Sequence, residues 1–513
     1  MGAPPPVITR DQVASRILAG DSLIIIRNKV LRVPPSWLTA HPGGALAILH
    51  FVGRDATDEV EAFHSAETLA RIKGFVIGTV EVGEHGWESF LPPVMSGWVR
   101  RVGVDGGKEW YREAEAFKST VDTEQYPSSD VQLVEKTSTQ EASGPTLETI
   151  TAAPSPLSAK SQADHSAAYK ELHQRIIDAG LYKTRYFSGY GPEIARYTLF
   201  AVVAAVAYLK DWMVISAFSL GLLWHQVTFT AHDLGHMGVT HDWVIDRVIG
   251  ILVADLLVRL EVVTNHPSHD PDIQHLPFFA ISPIFLNSLY SSYYKRVMRF
   301  DAVSKIFISL QHKLFYVVMS LARFNLYALS YTFLAKHAFQ PKRAKGARWW
   351  WWGEIFCLGL FYCWYSALLR GIGSWPRIIV YILISHIVPS PLHVQIVLSH
   401  FSRSTADLGP GESFPHRQLR TSTDVICSPS IEWIHGGLHL QVTHHLFPRL
   451  PRHNLREASL IVKEFAKQQG LEYCEFGFFE GNSEVRGVLR QVAEQVKIVG
   501  MVADSHIREA MVS

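Results

Sequence analysis

Two pairs of long apolar segments dominate the hydrophobic pattern of this chain. Residues 193–209 (EIARYTLFAVVAAVAYL) and 212–229 (WMVISAFSLGLLWHQVTF) are joined by Lys210–Asp211; residues 350–369 (WWWGEIFCLGLFYCWYSALL) and 378–398 (IIVYILISHIVPSPLHVQIVL) form the second pair. Each is near the ~20 residues a bilayer-crossing helix requires, and Trp and Tyr crowd the ends as interfacial anchors do. The pattern predicts two helical hairpins, with both termini on one side. The connector ahead of the second pair carries Lys336, Lys342, Arg343, Lys345 and Arg348, whereas the loop at 370–377 has only Arg370 and Arg377. The excess of positive charge therefore puts 230–349 and 400–513 in the cytosol. Residues 305–335 are apolar too, but Gln311, His312, Lys313, Arg323 and Asn325 interrupt them, which predicts an interfacial amphipathic helix rather than a fifth span.

The N-terminal pattern differs. Residues 1–82 alternate short apolar runs (SLIIIRNKV, GFVIGTV) with helix-like pieces, the mark of a compact α+β module. Residues 120–165 are rich in Ser, Thr, Pro and Glu and nearly free of aromatics, which predicts a flexible linker. At 513 residues the chain exceeds one ordinary core; about three units, or two and a linker, would account for it. No signal-peptide apolar stretch opens the sequence, and Pro6 stands where a myristoylation motif needs Ser or Thr, so attachment to a membrane is expected from the internal spans.

Composition narrows the class. Lys+Arg (48) and Asp+Glu (47) nearly balance, so nothing electrostatic calls for nucleic acid. Aromatic residues make up 12%, the mean hydropathy is slightly positive, and there are 25 histidines, a combination suited to a membrane protein with buried polar chemistry. Cys357, Cys363, Cys427 and Cys474 lack the spacing of a metal site or a disulfide framework.

Two histidine constellations carry the chemistry. In the first, His41-Pro42-Gly43-Gly44 is followed by Phe63-His64-Ser65. Two imidazoles on opposite walls of a crevice, with glycines that let backbone approach a flat ligand, would suit a haem iron with both axial positions filled. Leu46, Val60 and Phe63 are expected to keep water from it. Taken with GRDATDEVEAFHS and GFVIGTV, residues 8–82 resemble the cytochrome b5 family, which implies haem b on axial His41 and His64 and one-electron transfer.

In the second, AHDLGHMGVTH follows the first hairpin. His232 and His236 are four apart and share a helical face, with His225 and His241 nearby. QVTHH follows the second hairpin and sets Gln441, His444 and His445 at i, i+3 and i+4, again one face. His400, His435, His439 and His453 are further candidates. Two half-sites converging at one membrane surface would bind metal, and many imidazoles beside an electron-carrying haem favour non-haem iron over zinc.

HDLGH, VTNHPSHDPDIQHLPFF, LSHFSRSTADLGPGESFPHRQLRT, HGGL and QVTHHLFPRLPRHN resemble the front-end membrane desaturases, and among them the fungal delta-8 sphingolipid desaturases that carry a fused cytochrome b5. The resemblance implies a haem domain at 1–85, a largely flexible linker at 86–170, an all-α membrane domain at 185–470 with four transmembrane helices and cytosolic histidine boxes, and a cytosolic tail at 471–513. It implies two non-haem irons, with His232, His236, His400, His444 and His445 as ligands and Gln441 replacing the first histidine of the third box. Substrate would be the sphingoid base of ceramide or, alternatively, a fatty-acyl chain. O2 and NADH-derived electrons through NADH-cytochrome b5 reductase would drive the reaction at the endoplasmic reticulum membrane, with both termini cytosolic. One element of the pattern is missing. Such enzymes carry a second box, HxxHH, and no histidine lies between His241 and His266 here. A misdefined coding sequence, an inactivated enzyme, or recruitment of His266 and His269 would each account for this, in that order.

Overall fold

A computed structural model describes residues 5–102, 108–112, 144–254, 273–286, 289–292, 294, 296–338 and 347–512. His266 and His269, Lys342, Arg343 and Lys345, and residues 103–107 and 113–143 of the predicted linker lie outside the described residues.

The N-terminal module is built on a four-stranded sheet, β1 (Val7–Ile8), β2 (Leu23–Ile26), β3 (Lys29–Arg32) and β4 (Val76–Val80), in the order β1-β4-β3-β2. β1 runs parallel to β4 and the other pairs are antiparallel. Apolar alternation in these strands buries Leu23, Ile25 and Val30 on one face, with Val13 and Ile17 of the helix Arg10–Leu18 packed over them. On the other face, Ile24 and Val33 support a pocket walled by Trp37, Leu38, Ile48 and Val60.

Four described helices are long and apolar enough to cross a membrane: span 1 (Tyr186–Leu209), span 2 (Met213–Gly235), span 3 (Arg348–Gly371) and span 4 (Trp375–Phe401). Their outer faces leave Leu199, Val202, Phe218, Phe356, Leu360, Ile379 and Leu383 exposed, as surfaces meant for lipid do. Asp211, in the turn between spans 1 and 2, pairs with Arg377 at the start of span 4, so the turns of the two hairpins share one end of the bundle.

Three expectations need correction. The stretch 305–335 is not one amphipathic helix but two, Ala302–Ser320 and Ala322–Ala335, bent by 73°. Its polarity is also reversed: Gln311 and Arg323 are buried, whereas Ile306, Leu310, Tyr316 and Val317 are exposed. Gln311 is fully bonded inside, to both backbone groups of Ala280 and to the Leu489 carbonyl, and the Arg323 guanidinium lies 4.3 Å over the Trp224 ring. Second, the described part of the predicted linker 86–170 is folded. It includes a two-stranded ribbon, Trp98–Val102 with Lys108–Arg112, a capped turn of helix at Leu147–Ile150, and a 20-residue helix at Ala159–Asp178, termed the tether helix below. Third, 471–513 is no tail. Glu475–Gly477 pairs with Asp424–Ile426, and Val485, Leu489, Val492 and Val496 of the helix Phe478–Val512 enter the largest core beside Phe401 and Phe315.

Candidate functional site

The haem-type crevice takes its two imidazoles from helix ends. His41 closes the helix Pro35–Ala40 and His64 closes Thr57–Phe63, both with extended backbone that turns the ring away from the helix axis. Their ring centroids are 6.0 Å apart. Two metal–imidazole bonds of about 2 Å, plus the two half-rings, add up to roughly that separation. Each Nδ1 faces a carbonyl, His41 that of Gly44 at 3.3 Å and His64 that of Val60 at 2.9 Å. An Nδ1–H donated this way leaves Nε2 with its lone pair, the tautomer an axial ligand needs. Burial, then the charge of His64, pushes His41 down to about 4; burial also holds His64 below the ordinary value. Both are neutral donors at neutral pH, and the residues fit a haem. Val60 lines the pocket as expected. Phe63 does not: it packs outward, against the tether helix and the membrane unit.

The second constellation converges. Span 2 runs out of its apolar stretch carrying His232 in its last turn, and His236 caps it. The chain then reverses through Met237, whose φ is 56°, and Gly238, where a Cβ would stand 3.3 Å from the Asp233 carbonyl and 3.5 Å from that of Leu450. A side chain here would press on the Asp233 carbonyl, so glycine suits the close approach of the two segments. From the other side comes the six-residue helix Gln441–Leu446, too short to hold itself and fixed at both ends. The Val442 N–H donates to Asp424 at 2.8 Å, and the Tyr169 hydroxyl to the Leu446 carbonyl at 2.7 Å.

The ring centroids of His232, His236 and His444 lie 4.6, 4.6 and 4.8 Å apart, and their donor atoms fall within 4.8 Å of one another. His445 adjoins His444 at 6.0 Å and His400, from the last turn of span 4, at 5.2 Å. Five imidazoles thus meet where spans 2 and 4 end. Burial, then the neighbouring imidazoles, hold His444 and His445 well below the usual histidine range, so both rings are neutral. His400 Nδ1 faces the Ile396 carbonyl at 2.7 Å and His445 Nδ1 the Ser422 hydroxyl at 2.6 Å, while His232 Nδ1 and Gln441 Oε1 are buried with no hydrogen-bond partner. A buried imidazole nitrogen left unpaired, in a trio whose ligand atoms converge, fits a metal better than a hydrogen-bonded core.

The other histidine candidates go elsewhere. His435 bonds Gln395 at 2.5 Å and pairs with His439, His453 accepts the Arg185 N–H at 2.9 Å, His241 meets the Tyr182 carbonyl at 2.7 Å, and His225 packs edge-on to Phe229. Sequence reasoning missed the acid inside the first box. Asp233 takes the Tyr190 hydroxyl at 2.9 Å and lies 3.5 Å from Arg452, which also donates to Glu193 at 3.0 Å; this ties the first box to span 1 and to the chain after the third box. A buried Asp at i+1 of a ligand pair, with an Arg just past QVTHH, was the available signal.

A family model described as fatty acid desaturase matches residues 210–477, and one described as cytochrome b5-like heme/steroid binding domain matches residues 9–81. A delta 8-(E)-sphingolipid desaturase of Emericella nidulans is 42% identical over 96% of this chain and 95% of its own length. That of Komagataella phaffii is 38% identical over 96% and 94%. Delta(8)-fatty-acid desaturase 2 of Arabidopsis thaliana is 27% identical over 96% and 94%. No solved structure matches significantly.

Proposed function

This chain belongs to the fatty acid desaturase family, with a cytochrome b5-like domain ahead of the membrane unit, and from that premise we propose that it places a delta-8 double bond in the sphingoid base of ceramide. It is an oxidoreductase. The observation that carries the reading is the meeting of His232, His236 and His444, flanked by His445 and His400, in a chain similar end to end to sphingolipid desaturases.

In this reading His41 and His64 hold haem b, and the five clustered imidazoles hold non-haem iron, two ions in the full complement. Bound there, these groups supply one-electron transfer and O2-dependent removal of hydrogen from an unactivated methylene. The chain's own residues orient and exclude. The Ile396 carbonyl fixes the tautomer of His400, and the Ser422 hydroxyl holds the His445 ring by its Nδ1. Asp424 and Tyr169 fix the third-box helix, and Phe401, Leu446 and Phe447, all fully buried, keep bulk water from the cluster. NADH-cytochrome b5 reductase is the electron source, the endoplasmic reticulum membrane the location, and the cytosol the side of both termini.

One observation favours a second reading. The sequence from 242 to 265 contains no histidine, so the usual second box contributes nothing to the cluster, and a haem-carrying membrane protein without turnover would share every other feature. Expression in a yeast lacking sphingolipid desaturase separates the two. A delta-8 unsaturated long-chain base, together with two irons per haem, is expected of the enzyme. Unchanged lipids from well-folded, haem-loaded, iron-free protein would establish the carrier, and altered fatty acids with unaltered long-chain bases a fatty-acyl desaturase.

A further inference from the structure

The face on which the haem module docks holds a cation that no carboxylate among the described residues balances. Ala62 and Phe63, immediately before His64, pack in one cluster with Tyr169, Leu446, Phe447 and Leu450 of the tether helix and membrane unit. Arg449 stands in that strip between Phe447 and Leu450. Its Nε is buried without a hydrogen-bond partner, and no carboxylate pairs with it among the described residues. Arg449 is half-buried, and its charge is felt by His64, His173 and Tyr182, which places it beside the His64 wall of the crevice. Glu61, the nearby acid, is taken by Arg27 at 2.5 Å.

A guanidinium is a rigid fork of donors matched to a carboxylate, and burying it unpaired is costly. The only charged groups of haem b are its two propionates. Resting on the haem reading above, we propose that Arg449, supplied by the membrane unit, pairs with a propionate of the haem held by His41 and His64. The cofactor is then gripped by both domains at once. Arg449 is also four residues past His445, so the extended chain between them spans at most about 14 Å, and the same segment that contributes to the imidazole cluster clamps the haem.

The test follows haem transfer from full-length, detergent-solubilised protein to excess apomyoglobin. Arg449→Ala should lose native haem about tenfold faster than the parent, the scale of one charge-assisted hydrogen bond, and Arg449→Lys should remain within about threefold. Arg449→Gln, the gentler change, should behave like Arg449→Ala. Reloaded with haem dimethyl ester, which has no carboxylate, parent and variants should lose haem at one rate. Equal loss of native haem by all the proteins, or the same acceleration with the ester, would overturn the pairing. A parent that binds no haem defeats the cytochrome reading itself; a parent that holds haem regardless of residue 449 defeats only the propionate contact.

Discussion

A single hydroxyl decides what His445 can do. Ser422 Oγ lies 2.6 Å from Nδ1, and with the ring as donor there Nε2 keeps its lone pair for the cluster. Ser422→Ala should weaken iron binding by about 10–100-fold while haem content stays at the parent level, read by metal analysis and the haem spectrum of the same sample. Asp58 is a second case. It ends up buried against the tether helix, and burial raises its carboxyl to about 7, opposed by the Ser166 hydroxyl that donates to it at 2.5 Å. An unfolded Asp titrates near 3.8. Between those two values the folded chain holds the extra proton, so the contribution of Asp58 to stability is greatest at the acid end, falls as pH rises through the window, and is constant above it. Asp58→Asn should therefore reduce the decline in melting temperature between pH 4.5 and 7.5; the same decline in both proteins would assign it to other groups. Neither effect is legible in sequence, because each depends on a partner far along the chain.

The tether helix is the element that composition misread. Averaged over the window, Ser, Lys, Gln and Asp look like linker, yet only Gln162, Tyr169, Leu172 and Ile176 are buried, a narrow stripe that an average hides. Ser158 caps it through the Ser161 N–H. Tyr169 stacks on Phe447 at 5.6 Å and satisfies the Leu446 carbonyl, so the helix is what holds the third box in place. Tyr169→Ala should cost about 3–5 kcal/mol and Tyr169→Phe about 1–3 kcal/mol, the latter from the orphaned carbonyl. Thermal unfolding of the purified variants measures both, and a silent Tyr169→Ala would show that the third-box helix stands without it. The C-terminal helix was overlooked for a related reason: its apolar residues are spread over many turns, and the partners that bury them, Phe315 and Phe401, lie far upstream.

At the scale of the molecule, the two hairpin turns share one end and the imidazoles the other. In sealed microsomes, Lys210→Cys should be shielded from an impermeant thiol reagent that reaches Cys427 from the cytosolic side; equal labelling of both would break the four-span topology. Those four spans were readable from the sequence alone, because a bilayer imposes a length and an apolarity that any local window reveals. So was the pairing of His232 with His236 and of His444 with His445, since helical spacing is local, and so was the nearness of His41 and His64, which two short motifs carry. What only tertiary packing decided was membership. His444 joins His232 and His236 while His435 and His453, equally close in sequence, bond elsewhere and His439 lies 3.4 Å from Glu432, because the choice depends on where spans 2 and 4 end relative to a helix that follows both in the chain. The inward turn of Gln311 and Arg323 and the outward turn of Phe63 were decided the same way: a side chain's type states what it needs, and only the folded neighbours determine which side of its helix can supply it.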